Sequence, residues 1–156
     1  MIQRVQSIYL LLITVLMSFL LIRPYADLTL VDTQSLVFRA HAITIQSGPQ
    51  DVELYKTTIP VVLLTLITGL LSFCTIFFYN HRIYQIRLSM INAVLIVMLI
   101  IGMLTYSLTI KQSLQVTDFS FRMAMIYPVL SLIFCIMAIR AIQHDEILVN
   151  SYNRLR

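Results

Sequence analysis

Charge is what this sequence withholds from four long stretches. No Asp, Glu, Lys, Arg or His interrupts Val5–Ile22, Ile59–Tyr79, Leu88–Thr109 or Met123–Ile139. At a rise of about 1.5 Å per residue, each is long enough, or nearly so, to cross a hydrocarbon core of about 30 Å. The chain is 59% hydrophobic and only 12% charged, with mean hydropathy +0.88, whereas ordinary soluble domains are about 25% charged. A water-soluble fold of 156 residues could not cover so much apolar side chain. A bilayer removes that demand by solvating the outer helix faces. The expected fold class is therefore all-α integral membrane, a single four-helix bundle over residues 1–156 with no second domain.

The same absence bears on chemistry. Intramembrane carboxylates, His and Lys are costly in lipid and mark proton-coupled carriers and pumps, and the four spans hold none. Discontinuous helices, which build ion sites in many carriers, announce themselves by Gly or Pro. Only Gly69, Gly102 and Pro128 offer such interruptions here. A solitary coupled transporter is disfavoured, while an uncharged pore made by an oligomer stays open. Cys74 and Cys135 both lie within apolar runs and read as packed free thiols, with no CxxC, zinc or haem spacing. His41, His81 and His144 make no i, i+4 ligand pair, and the consecutive His144-Asp145-Glu146 would point about 100° apart on a helix. The eight Met read as packing. No catalytic residue, cofactor or metal site is expected, and the protein is expected not to be an enzyme. The net charge of +4 does not point to nucleic acid, since the basic residues stand singly at helix ends and form no patch with stacking aromatics.

Along the chain, helices are expected at about 5–22, 59–79, 88–109 and 123–142. Met1–Arg4 and the run behind it resemble a signal peptide. The run continues to Ile22, however, and Pro24-Tyr25-Ala26 offers no small-x-small cleavage site, so an uncleaved first span is expected. Pro24 stops helix one, and Arg23 can snorkel to the headgroups. Pro60 suits the first turn of helix two. Asp118 and Ser120 are candidate caps ahead of helix four, and Pro128 is placed to kink it. That helix is expected to continue past Arg140 into a helix-permissive tail, 143–156, with apolar Ile142, Leu148, Val149, Tyr152 and Leu155 on one side. Such a tail could lie in an anionic interface or dock on a partner. The sizeable soluble piece is the loop 24–58. Its Leu28–Val31 and Leu36–Ile45 stretches, separated by Asp32–Ser35 and closed by Ser47–Gln50, predict a small β-hairpin. It serves either as a spacer lying on the bundle or as a docking edge.

Orientation follows from Lys and Arg. Arg4, Arg82, Arg87, Arg140, Arg154 and Arg156 fall on the side of both termini, against Arg23, Arg39, Lys56, Lys111 and Arg122 on the other. The first side also has the tighter, basic loop, Asn80–Arg87. Both termini are therefore placed in the cytoplasm and the 24–58 loop outside. Within the spans, Asn92 stands apart because its amide needs a partner: water, a neighbouring helix, or a functional polar pocket. Thr65, Gly69 and Ser72, with Thr68 and Thr75, form a small-residue face on helix two. Such faces let helices approach closely, either within the bundle or against a second protein.

Both ends of the chain are distinctive. The opening Met1-Ile2-Gln3-Arg4-Val5-Gln6-Ser7-Ile8-Tyr9-Leu10-Leu11-Leu12, together with Ala141-Ile142, Asp145-Glu146 and the closing Ser151-Tyr152-Asn153-Arg154-Leu155-Arg156, resembles an uncharacterised four-helix inner-membrane family of Bacteroidota, domain of unknown function family 4293. The likeness runs over essentially the whole chain. It implies a location, the bacterial inner membrane, and no activity or site residue. The reading that follows is a non-enzymatic inner-membrane subunit or accessory scaffold, with the lipid bilayer and other membrane proteins as partners. Candidate contacts are Arg4, Tyr9, Arg82, Arg87, Tyr152, Arg154 and Arg156 on the cytoplasmic side, and Phe38 and His41 outside. The alternative is a small oligomeric transporter or uncharged channel.

Overall fold

A computed structural model of the chain describes residues 3–30, 35–46, 52–78, 82–113 and 116–154. The order is α1 (Gln3–Ile22), β1 (Ala26–Leu30), β2 (Ser35–Phe38), β3 (Ala42–Gln46), β4 (Val52–Thr57), α2 (Ile59–Phe77), α3 (Arg82–Ser113), β5 (Val116–Phe121), a 3₁₀ turn (Met123–Met125) and α4 (Ile126–Arg154). All four α-helices are long and apolar enough to cross a membrane, which is compatible with a multi-pass membrane protein. Each packs on two neighbours in the ring α1–α2–α3–α4. Every strand among the described residues lies in a connection at one end of this bundle, the sheet end, and the end of α2 and the start of α3 lie at the other.

The buried positions explain the ring. On α1 they are Gln6, Leu10, Ile13, Met17 and Leu20, and on α2 Val61, Thr65, Thr68, Ser72 and Thr75. On α3 they run Gln85, Ser89, Asn92, Ile96, Leu99 and Met103. On α4, Ser131, Cys135, Ala138 and Ile142 follow the same rule. Steps of four and three alternate, which is the 3.5-residue period of left-handed bundles. Large apolar side chains point the other way: Leu63, Leu66, Leu70, Phe73 and Phe77 of α2 are all exposed, as are Ile91, Val94, Val97 and Met98 of α3. Small and mildly polar residues inside, with bulky apolar residues outside, is the arrangement a lipid solvent favours. Lipid tails are as apolar as Leu, so helices associate through close packing and hydrogen bonds. The interior hydroxyls are largely satisfied by their own helices. Thr65 donates to the Val61 carbonyl at 2.6 Å, Thr75 to Leu71 at 2.6 Å and Ser107 to Met103 at 2.9 Å.

The five strands form one antiparallel sheet in the order β4-β3-β2-β1-β5. Pairing aligns Ala26 with Phe38 and Leu28 with Leu36, then Leu36 with Ile45 and Phe38 with Ile43, so one face carries an apolar row. Ala26, Leu28, Leu36, Phe38 and Ile43 join a core shared with Leu20, Met103, Ile110 and Ala124 at the bundle end. An isolated hairpin is marginal in water, and this core explains why the sheet forms. Three tethers hold it. The Thr58 hydroxyl, just ahead of α2, donates to the Ala40 carbonyl at 2.7 Å. Lys56 lies over the Tyr106 ring, 5.9 Å from its centroid. Arg122 donates through Nε to Asp27 and through its backbone N–H to the Tyr25 carbonyl at 2.9 Å.

Several boundaries differ from the sequence expectation. The stretch Leu36–Ile45 is two strands, β2 and β3, reversing at Ala40-His41, where the Arg39 N–H donates to the Ala42 carbonyl at 2.9 Å. The expected hairpin is thus part of a larger sheet. Helix α3 begins at Arg82 and ends at Ser113, so 82–87 of the expected loop are helical, because charged side chains at a helix end can stay in water while the backbone keeps its bonds. Asp118 and Ser120 do not cap a helix. They lie in β5, paired with Thr29 and Asp27, and the extended Arg122 precedes the 3₁₀ turn. Pro128 sits in the first turn of α4, where its missing N–H removes no helix bond, so it is not placed to kink the helix. Helix α2 ends at Phe77; of the expected turn Asp32–Ser35, Ser35 begins β2, while Asp32, Thr33 and Gln34, the closure Ser47–Gln50 and residues 79–81 lie outside the described residues. Helix α4 does run past Arg140, to Arg154.

Candidate functional site

Two places on this scaffold gather polar groups. The first is a layer inside the bundle, in the half away from the sheet. The heptad seam brings it together: Ser72 and Thr75 end the buried row of α2, Gln85, Ser89 and Asn92 open that of α3, and Ser131 and Cys135 lie on α4. Asn92 Nδ2 donates to Ser72 Oγ at 2.6 Å, joining α3 to α2. Gln85 Nε2 donates to the Thr75 carbonyl at 3.4 Å across the same pair. The Cys135 thiol donates to the Ser89 carbonyl at 3.2 Å, joining α4 to α3. Three further polar atoms of the layer, Ser89 Oγ, Asn92 Oδ1 and Ser131 Oγ, are buried without a hydrogen-bond partner among the described residues.

The chemistry available there is hydrogen bonding. The layer offers amides, hydroxyls and one thiol, and among the described residues no carboxylate, imidazole or amine is buried beside them. Among the described residues no group of three His, Cys, Asp or Glu stands close enough to hold a metal ion. Toward the sheet large apolar side chains fill the interior: Ile13, Met17, Leu20, Ile96, Leu99 and Met103 are buried, and the hydroxyls of Thr65, Thr68 and Ser107 among them bond back to their own helices. Tyr25 and Phe38 close that end, their ring centroids 6.0 Å apart. Burial pushes the Tyr25 hydroxyl well above a tyrosine's ordinary range, and the hydroxyl has no hydrogen-bond partner among the described residues.

The second place is the sheet. Strands β4 and β5 are its outer members, so among the described residues each has one side without a strand partner. Lys56, Thr57 and Ser120 are exposed on these outer strands. Unpaired strand edges present rows of N–H and C=O groups that can accept an added strand.

The expected contact residues are scattered differently. His41 is exposed at the β2–β3 reversal, and Arg87 is exposed on the first turns of α3. Phe38 is corrected from a docking residue to core: it is fully buried, because its register puts it on the sheet face that meets the bundle. The Tyr9 ring stacks on Phe134 of α4, centroids 6.2 Å apart, so it serves the α1–α4 seam. Thr65 and Ser72 lie on the seam, while Gly69 borders it, where a Cβ would stand 3.5 Å from Met17 Cβ of α1. The small face therefore packs within the bundle. Arg4, Arg82, Tyr152 and Arg154 belong to helices; their side chains, and all of Arg156, lie outside the described residues. Asn92 takes the neighbouring-helix partner. Sequence reasoning passed over Gln85 and Ser89, although their spacing of four and three ahead of Asn92 is the signal that carries the seam to the end of α3.

Residues 2–155 match the profile of a family described as Domain of unknown function (DUF4293). No curated protein matches the chain.

Proposed function

The chain belongs to the DUF4293 family, and we propose that it is a non-enzymatic membrane subunit or accessory scaffold that offers a strand edge to another protein. One observation carries this reading: a five-stranded sheet, locked to the end of the bundle, whose outer strands β4 and β5 each leave an edge open among the described residues. Edge strands are a liability that chains blunt or cover, and a bound partner strand would cover one. The reading places the four helices in the bacterial inner membrane, both termini in the cytoplasm and the sheet on the outer side, in keeping with the six-to-five excess of basic residues at the terminal side. The bilayer and other membrane proteins are then its partners.

A photo-crosslinking amino acid at Thr57 or Ser120 in the tagged chain tests it. Irradiated native membranes should yield a discrete heavier adduct from an edge position, and none from Leu70 on the lipid-facing side of α2. Recovery of monomer alone from every position would sink the proposal. The polar layer around Asn92 favours a second reading, an oligomeric uncharged channel or small transporter, while the packed Ile13, Met17, Leu20, Ile96, Leu99 and Met103 beneath the sheet speak against a path through one bundle. Solute flux through proteoliposomes that disappears in Asn92→Leu would favour it.

A further inference from the structure

A groove of about 620 Å³ opens where α1 meets the start of α4, on the sheet side of the bundle. This volume falls within the range of about 300–1,000 Å³ typical of small-molecule sites. Its walls are of two kinds. Leu16, Phe19, Met123 and Tyr127 supply apolar surface, and Arg23 and Arg122 supply two guanidinium groups. The charged groups lie at the mouth: Arg23 directly follows α1, and Leu16 is two turns earlier, about 10 Å deeper along the helix axis. Arg122 is bonded to Asp27 through Nε yet keeps 51% of its side chain exposed. Arg23 is exposed and has no ion pair among the described residues. Two arginines against one carboxylate leave the mouth net positive.

The geometry points to a binding site for one anionic phospholipid, with its phosphate between Arg23 and Arg122 and an acyl chain along Leu16, Phe19 and Tyr127. Charge complementarity selects the headgroup, because guanidinium forks match phosphate oxygens and bind them more strongly than neutral donors do. The apolar floor selects an amphiphile over a free anion. The Asp27 bond holds Arg122 in place from the sheet, so this side of the site is built before lipid arrives. The inference rests on the membrane reading above.

The test uses the full chain purified in a mild non-ionic detergent. Native mass spectrometry would follow binding of phosphatidylglycerol and phosphatidylcholine of identical acyl chains, offered together. One phosphatidylglycerol should be retained in preference. Arg23→Gln should cut that preference about tenfold, the loss of one charge-assisted contact, and Arg39→Gln, a sheet-side cation outside the groove, should leave it unchanged. Arg23 has no ion pair to break among the described residues, so this variant should keep its helical circular dichroism; Phe19→Ala, on the exposed groove wall, gives a second reading by weakening both lipids. Equal retention of the two lipids, an equal loss in Arg39→Gln, or displacement of phosphatidylglycerol by millimolar inorganic phosphate would each overturn the site. Alkaline carbonate washing separates the two levels. A chain stripped from membranes would overturn the membrane reading together with the site, whereas an embedded chain without lipid preference would overturn the site alone.

Discussion

Asn92 and Ser72 form a side-chain hydrogen bond between helices, in a layer with no ionised partner among the described residues. In a lipid environment such a bond contributes modestly, because the separated helices also find partners; measured couplings centre near 0.6 and reach about 1.7 kcal/mol. A double-mutant cycle with Asn92→Ala and Ser72→Ala, read by unfolding in detergent, should return a coupling of about 1 kcal/mol. A coupling near zero would mean that the bond does not hold α3 to α2. Tyr25 supports a different experiment. Its hydroxyl is held above the ordinary value of 10.0 by burial, so the unfolded chain ionises first as pH rises. The sign follows: the contribution is fully present below about pH 10 and is lost as pH rises above it. Melting temperature in detergent should fall between pH 9.5 and 11 (about one unit across the tyrosine's unfolded titration), and Tyr25→Phe should flatten part of that fall.

At the scale of elements, two junctions decide whether the pieces stay together. Gly69 meets Met17 at a distance where an added methyl makes ordinary contact. Gly69→Ala should therefore be neutral or slightly stabilising, while Gly69→Leu should cost about 1–3 kcal/mol by forcing α1 from α2. Thermal melts of the two variants separate these outcomes. Thr58 ties the β2–β3 reversal to α2 through its hydroxyl. Thr58→Val leaves the Ala40 carbonyl without that donor, at a cost of about 1–3 kcal/mol. Because sheets and helices open in separate units, limited proteolysis should cut near residues 39–46 sooner in the variant, with the helical fragments unchanged. These junctions also show what the sequence could reveal. Charge-free runs located all four helices, since hydropathy over some 20 residues is a local property. The Thr65–Ser72 face was visible for the same reason, its period lying within one helix. Strand β5 was not, because Asp118 and Ser120 carry strong local capping preferences, and only pairing with β1, some 90 residues distant in sequence, turns that segment into a strand. Phe38 was misplaced for the related reason that a strand's buried face is set by what it lies against. The groove between Arg23 and Arg122 likewise depends on a contact between the two ends of the ring, which no single stretch of sequence contains.

At the scale of the molecule, and on the inner-membrane reading proposed above, length and charge together constrain how the bundle sits. Helices α1 and α2 have 20 and 19 residues, close to the roughly 30 Å of a hydrocarbon core, whereas α3 and α4 have 32 and 29 and must tilt or overhang. For α4 the overhang falls at the end away from the sheet, since its apolar window closes at His144 while the helix continues to Arg154. That end also carries most of the basic residues, and the sheet end carries the fixed β-structure. A single orientation then predicts two labelling results. In a background without Cys74 and Cys135, a cysteine replacing exposed His41 should react with a membrane-impermeant maleimide in cells whose inner membrane is intact. A cysteine replacing Arg87, exposed at the opposite end of the bundle, should react only after that membrane is opened. The reverse pattern would keep the four spans but invert the protein, showing that the narrow excess of basic residues does not set its topology. Labelling of both positions from one side would be the more serious outcome, because a sheet and an α3 start on the same side require an even number of crossings between them, and α2 alone supplies an odd one.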